Sequence, residues 1–207
     1  MMSSRASVGA VLLAAGAASR FGSPKQLLVI DGEPMVRRAA RAALAAGLSP
    51  VIVVTGAHHG AVAASLDGLD VHQVEHGDWA SGMGGSLAAG VRTLLEQAPA
   101  VASLMVLLAD QPSLGAAELT GMLQAHARHP ERILAARHGA QLGPPCLFPR
   151  SWAGELATLR GAHGARSLLE KYAGRVDAHD LPAAAFDIDT PADHAAWLAL
   201  RHDPRHR

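Results

Sequence analysis

The stretch VLLAAGAASRFGSPKQLL, residues 11–28, runs from apolar residues into a loop of Ala and Gly and then meets Arg20, Gly22 and Lys25. Three readings compete: a secretory signal, an ordinary strand-to-helix connection, or a site for something strongly anionic. The signal reading has Arg5 in front, an apolar run over 8–18, and small residues at Ala17-Ala18-Ser19. Charges and turn formers follow at once, and then an amphipathic helix and more strand–helix units. Cleavage there would remove the first strand of an α/β fold, so 8–13 reads as a buried strand.

Outward from that strand, short apolar runs alternate with helical patterns. Residues 34–46 (PMVRRAARAALAA) read as a helix with Pro early and Gly47 just past its end. Strands are expected at 51–54, 71–74 and 104–108, and helices at 58–66 and 86–96. Ser113 is the expected N-cap of a helix reaching 129. Continuous apolar strands in a βαβα rhythm predict a three-layer α/β fold, a mostly parallel sheet with helices on both faces. Beyond 130 the pattern loosens: strands at 133–136 and 146–148, helices at 165–173 and 192–200. With no repeat and no long linker, 1–207 reads as a single domain. Its nucleotide-binding half is about 1–110, its acceptor half about 111–200, and its charged tail RHDPRHR (201–207) is expected to be mobile.

The chain has 207 residues, 49% of them hydrophobic, enough for a substantial core. Lys and Arg number 18, as do Asp and Glu, leaving none of the cationic surplus that general nucleic-acid binding draws on. No apolar run approaches the roughly 20 residues that cross a bilayer, and no membrane partner is expected. The single cysteine, Cys146, makes no disulfide framework, and the expected setting is cytoplasmic.

In open parallel sheets ligands bind at the carboxyl ends of strands, and Leu13, Ala14, Ala15 and Gly16 form such an end. Small side chains there let backbone N–H groups face anionic oxygens. Arg20 and Lys25 can converge on the same charge, one as a planar fork and one as a compact cation. The competing reading makes them solvated loop charges. Neither a P-loop nor a GxGxxG turn fits, and Gly82-Met83-Gly84 is a lone GxG.

Two acidic strand ends complete the picture. LLADQP places Asp110 where the fourth strand stops, and FDIDTPADH places Asp189 at the end of a short expected strand with Phe186 and Ile188 inward. Thr190 then reads as an N-cap and Pro191 as the first helical residue. Either aspartate serves equally as a turn or cap residue or as an oxygen ligand for Mg²⁺. A polyphosphate site at Arg20 and Lys25 favours the metal role. His58-His59 is a poor zinc candidate because adjacent side chains diverge, and Cys146 reads as a core thiol.

Together these segments resemble the MobA-like nucleotidyltransferases, most closely the molybdenum-cofactor cytidylyltransferases. The resemblance is carried by LAAG…SRFGSPKQLL, WASGMGGSL, LLADQP and DIDTP, and spans nearly the whole chain. It implies the nucleotide-diphospho-sugar-transferase-like Rossmann variant. It also implies a Mg²⁺-dependent transfer of CMP from CTP to a phosphate-bearing acceptor, with molybdopterin as the expected acceptor and release of pyrophosphate. By the resemblance, Leu13, Ala14, Ala15 and Gly16 contact the nucleotide, and Arg20 and Lys25 the triphosphate. Asp110 and Asp189 hold Mg²⁺, while Thr55, Gly56, Ser81 and Gly82 lie near base or ribose. Catalytic roles fall to Arg20, Lys25 and Asp110. Ala15 favours CTP, since guanylyl members carry Gly at that place.

The acceptor half departs from the family pattern. Gly143-Pro144-Pro145 stands where Gly-His-Pro is common, and Gly161-Ala162-His163 where Gly-Asp precedes Gly164-Ala165-Arg166. Other readings on the same fold are a guanylyltransferase, an NAD(P)H-dependent oxidoreductase, and a non-catalytic nucleotide-binding chaperone that hands a cofactor to a molybdoenzyme.

Overall fold

A computed structural model describes residues 7–202. In chain order the elements are β1 (Val8–Ala14), β2 (Val29–Ile30), β3 (Glu33–Pro34), α1 (Met35–Ala45), β4 (Val51–Thr55), α2 (His59–Ser65), β5 (His72–Glu75) and α3 (Met83–Gln97). They continue with β6 (Ser103–Leu108), α4 (Ala116–His126), β7 (Ile133–His138), β8 (Gln141–Pro149), α5 (Ala153–Leu156), α6 (Arg166–Lys171), β9 (Val176–Asp180) and α7 (Pro191–His202).

Seven strands form one sheet in the order β5-β4-β1-β6-β8-β7-β9, and β2 and β3 form a separate hairpin. The pairs β1–β4, β1–β6, β4–β5 and β7–β9 are parallel, and β8 is antiparallel to both its neighbours. The expected mostly parallel three-layer fold is the observed one. Alternation along the strands explains the layers. Leu12, Val53 and Met105 face α1, α2 and α4 through Val36, Val62 and Leu119. Val11, Ile52 and Val106 face α3, α5 and α6 through Val91, Leu156 and Leu168. Close approach of α3 requires Gly90, where a Cβ would lie 2.5 Å from Val11 Cγ1 and 2.6 Å from Val54 Cγ2.

Several boundaries differ from the sequence reading, each for a local reason. Helix α3 begins at Met83 because Gly82 (φ +117°) breaks the preceding turn there. Helix α4 is shorter than 113–129: it starts after Gly115, whose N–H donates to Glu118 Oε2 at 2.9 Å, while Ser113 Oγ accepts from Trp197 Nε1. The segment 186–189 is irregular rather than a strand, because it crosses the end of β6 instead of pairing along it. Strands β2 and β3 are only two residues each and the edge strand β9 is polar, so the sequence reading flags none of them, and β8 is longer than the expected 146–148. Helix α7 continues to His202, so it includes the first two residues of the expected tail; 203–207 lie outside the described residues.

Candidate active site

The chain leaves β1 through α1 to β4 and β5 on one side, then returns through α3 to β6 on the other. The carboxyl ends of β1 and β6 are therefore the topological switch point, where open α/β sheets bind ligands. A cavity of about 310 Å³ opens there. Its walls are Leu13 to Gly16, Lys25 and Gln26, the start of α3, the end of β6 with Asp110, and Ala162.

The charges converge at its edge. Lys25 Nζ lies 2.7 Å from Asp110 Oδ2 and 2.5 Å from Asp189 Oδ1, and Arg20 donates to Asp189 Oδ2 at 2.8 Å. These residues span 169 positions of sequence yet meet at one point. Burial works against the Lys25 charge, but the two carboxylates outweigh it and hold its pKa above the usual lysine value. Burial likewise opposes ionised Asp189, and Lys25 and Arg20 more than compensate, keeping it below the ordinary carboxylate range. Asp187 behaves differently. The residue is open to solvent, yet burial around its carboxyl and then the nearby Asp110 carboxylate push it up to about 6.

Why the acidic tip reaches the cationic loop is a packing question. A small apolar cluster joins Phe21, Leu28 and Ile30 from the loop and hairpin to Met35, Phe186, Ile188 and Trp197. The Ile188 N–H donates to the Asp110 carbonyl at 3.0 Å, fixing the distance between the two acidic segments. Asp193 Oδ2 accepts from the N–H groups of Asp189 and Thr190, and the Asp193 N–H donates back to Thr190 Oγ1. That reciprocal cap stops α7 from running on and leaves Asp189 just before it.

Gln26 was missed in the sequence. It is 3% exposed, and its Nε2 donates to the Ala14 carbonyl at 3.2 Å and the Gly16 carbonyl at 2.5 Å. The Ala15 carbonyl accepts from the Ala57 N–H at 3.1 Å. Carbonyls 14, 15 and 16 are thus tied into protein, as buried backbone acceptors require. A signal existed: a glutamine between Lys25 and an apolar pair is a polar residue in a buried setting, which calls for partners. The same loop holds Ala18 at φ +53°, a left-handed conformation costing on the order of 1 kcal/mol for a residue with a Cβ.

Other expected positions are placed elsewhere. Thr55 is fully buried, and its hydroxyl donates to the Val74 carbonyl and pairs with His59 Nδ1, away from the cavity. Gly56 is a packing position, where a Cβ would lie 2.6 Å from the Ala15 carbonyl oxygen and 2.8 Å from Trp79 Cβ. Ser81 Oγ donates to the Asp78 carbonyl at 2.8 Å. Of that group Gly82 lines the cavity, beside Trp79, Met83 and Ser86, which the motif reading did not single out. His58 and His59 point to different partners, the Ala17 carbonyl and Thr55. Cys146 is buried, and burial raises its thiol pKa well above the usual range.

Among the described residues no group of three or more His, Cys, Asp or Glu forms a ready metal cage. The two aspartates nevertheless suit a hard divalent ion. They reach a common cation position, now taken by Lys25 Nζ, and Asp110 Oδ1 is buried without a hydrogen-bond partner. Mg²⁺ is commonly bound by one or two carboxylates, with substrate phosphates and water completing its shell.

Residues 10–176 match the model of the MobA-like NTP transferase domain. The chain is 34% identical over 194 residues to nicotine blue oxidoreductase of Paenarthrobacter nicotinovorans, covering 88% of this chain and 92% of that protein. Among solved structures, Rv0371c of Mycobacterium tuberculosis H37Rv superimposes with a TM-score of 0.75 at 30% identity, over 93% of this chain and 98% of that one. Its manganese complex gives a TM-score of 0.72 at 29% identity, over 93% and 98% of the two chains. A nucleotidyl transferase of Methanothermobacter thermautotroptrophicus (Mth528) shares the fold, with a TM-score of 0.78 at 23% identity over 95% and 99%.

Proposed function

The chain belongs to the MobA-like NTP transferase domain family, a family of nucleotidyltransferases, and on that premise we propose that it transfers CMP from CTP to a phosphate-bearing small molecule. The reading rests above all on one observation: Arg20 and Lys25 meet Asp110 and Asp189 at the mouth of the switch-point cavity. We take 1–207 as one catalytic domain, the acceptor as molybdopterin or a relative of it, and the setting as cytoplasmic. Among the described residues no helix is long and apolar enough to cross a membrane.

In this reading an acceptor phosphate oxygen attacks the α-phosphorus in line. The bond to the bridging oxygen breaks, and pyrophosphate leaves. Negative charge grows on the bridging and non-bridging oxygens, and preorganised cations lower the barrier by meeting it there. Arg20 supplies a planar donor fork and Lys25 a point charge, while the loop held by Gln26 offers backbone N–H groups. Mg²⁺, held by Asp110 and Asp189 when bound, supplies further neutralisation of phosphate charge. The acceptor phosphate is already ionised at neutral pH, so no general base is required. CTP is preferred over GTP on the Ala15 resemblance, the methyl group acting through shape.

The relative bearing an oxidoreductase name makes one control necessary. A thermal-shift panel of CTP, GTP, ATP and NADPH, with and without Mg²⁺, is expected to show the largest stabilisation with CTP and Mg²⁺. Stabilisation by NADPH alone overturns the transferase reading. Pyrophosphate release on adding acceptor separates an enzyme from a nucleotide-binding chaperone.

A further inference from the structure

We infer that Lys25 is the resident counter-cation of the Asp110–Asp189 pair and makes metal binding conditional on nucleotide. The inference rests on the reading of the cleft as a metal–nucleotide site and deepens it, by assigning what holds the site when nucleotide is absent.

The geometry carries the argument. The ammonium of Lys25 contacts one oxygen of each aspartate, at 2.7 Å and 2.5 Å, so it fills the position from which a single cation touches both. A divalent ion on both carboxylates needs that same space, and two positive centres that close repel strongly. Lys25 must therefore leave before the ion enters. Its side chain is only 15% exposed, so departure without a new partner strands a partly buried charge. A triphosphate lying along the loop after β1 provides that partner, within the sweep of a flexible four-carbon stem. Nucleotide would thus draw the ammonium off the acids and free the position between Asp110 and Asp189 that would hold the metal.

Arg20 offers an internal contrast. It pairs with Asp189 from outside, and its side chain is 72% exposed. Solvent accepts its guanidinium at little cost, so Arg20 does not block the position between the acids.

Mn²⁺ binding measured by electron paramagnetic resonance of the free ion, without nucleotide, tests this on the full chain. Wild type is expected to bind weakly, and Lys25→Met at least ~10-fold more tightly, since a repelling charge has gone and the acids remain. Arg20→Met is expected to match wild type within about twofold, as an exposed ion pair contributes little. Adding Asp189→Asn to Lys25→Met should abolish the gain. A gain in affinity does not arise from misfolding, so it separates this role from a structural one. Wild type supplies a second readout: Mg²⁺ alone should leave its unfolding midpoint unmoved, whereas Mg²⁺ with CTP raises it. If CTP with Mg²⁺ stabilises wild type but Lys25→Met binds Mn²⁺ no better, the inference falls and the cleft reading stands. A wild-type midpoint that rises with Mg²⁺ alone has the same meaning. If CTP with Mg²⁺ leaves wild type unmoved and Lys25→Met binds no Mn²⁺, both fall.

Discussion

The two sides of the cavity differ in kind. On the β1 and β6 side, charges and backbone groups are held by several interlocking contacts: Lys25 between two acids, Gln26 on two carbonyls, and the Ile188 N–H on the Asp110 carbonyl. On the side of the 160s loop, Ala162 reaches the cavity with a methyl group, at a place where the resemblance leads one to expect a carboxylate. That loop is positioned by backbone. Its Gly161 carbonyl accepts from the Gly84 N–H at 2.8 Å, and a Cβ at Gly82 would lie 2.5 Å from the same oxygen. One side is built to neutralise concentrated charge, and the other presents shape.

That contrast can be broken by experiment, beginning with the charged side. Asp110→Ala is expected to lower turnover by roughly 10² or more, as loss of one preorganised electrostatic group does. A pyrophosphate-release assay checks it, and near-normal release would remove Asp110 from the machinery. Trp197→Ala should destabilise the protein by about 3 kcal/mol, because Trp197 is buried in the small cluster that seats the acidic tip. Urea unfolding measures that loss, and a change within 0.5 kcal/mol, the range of an ordinary surface substitution, would show that the cluster does not anchor the tip.

Gln26→Leu leaves the Ala14 and Gly16 carbonyls without their side-chain donor, and should weaken CTP binding by about tenfold. Calorimetric titration tests this, and unchanged affinity would relegate Gln26 to packing. On the other side of the cavity, Ala162→Asp is expected to leave CTP affinity within about twofold while altering the KM for acceptor. An equal change in both would erase the distinction between the two sides. The smallest effect is expected at Cys146, which is buried: the native protein should stay unmodified by a thiol reagent that labels the unfolded chain.

Much of the scaffold was legible because burial writes itself into periodicity. The apolar runs of β1, β4 and β6 have to be covered on both faces, and Gly47 ends α1 in a left-handed conformation, as its place after the helical pattern implies. Strands β2, β3 and β9 escaped notice because they are short or polar edge elements. Thr55 and Ser81 are expected near base or ribose because they stand in matching motifs, but a hydroxyl's direction depends on neighbours that a motif does not contain, here the Val74 and Asp78 carbonyls.

From sequence alone came the residue types of an anionic site: a loop of small residues, two cations after it, and two aspartates at segment ends. Local chemistry settles these, since backbone access, charge and turn formation depend on residues a few positions apart. What tertiary structure alone decided is that Asp189 approaches Asp110 and that Lys25 lies between them. That meeting depends on apolar contacts among Phe21, Ile30, Ile188 and Trp197 and on one backbone hydrogen bond across the end of β6. The contacts close over a long stretch of chain, and their register is set by packing, which no local pattern encodes.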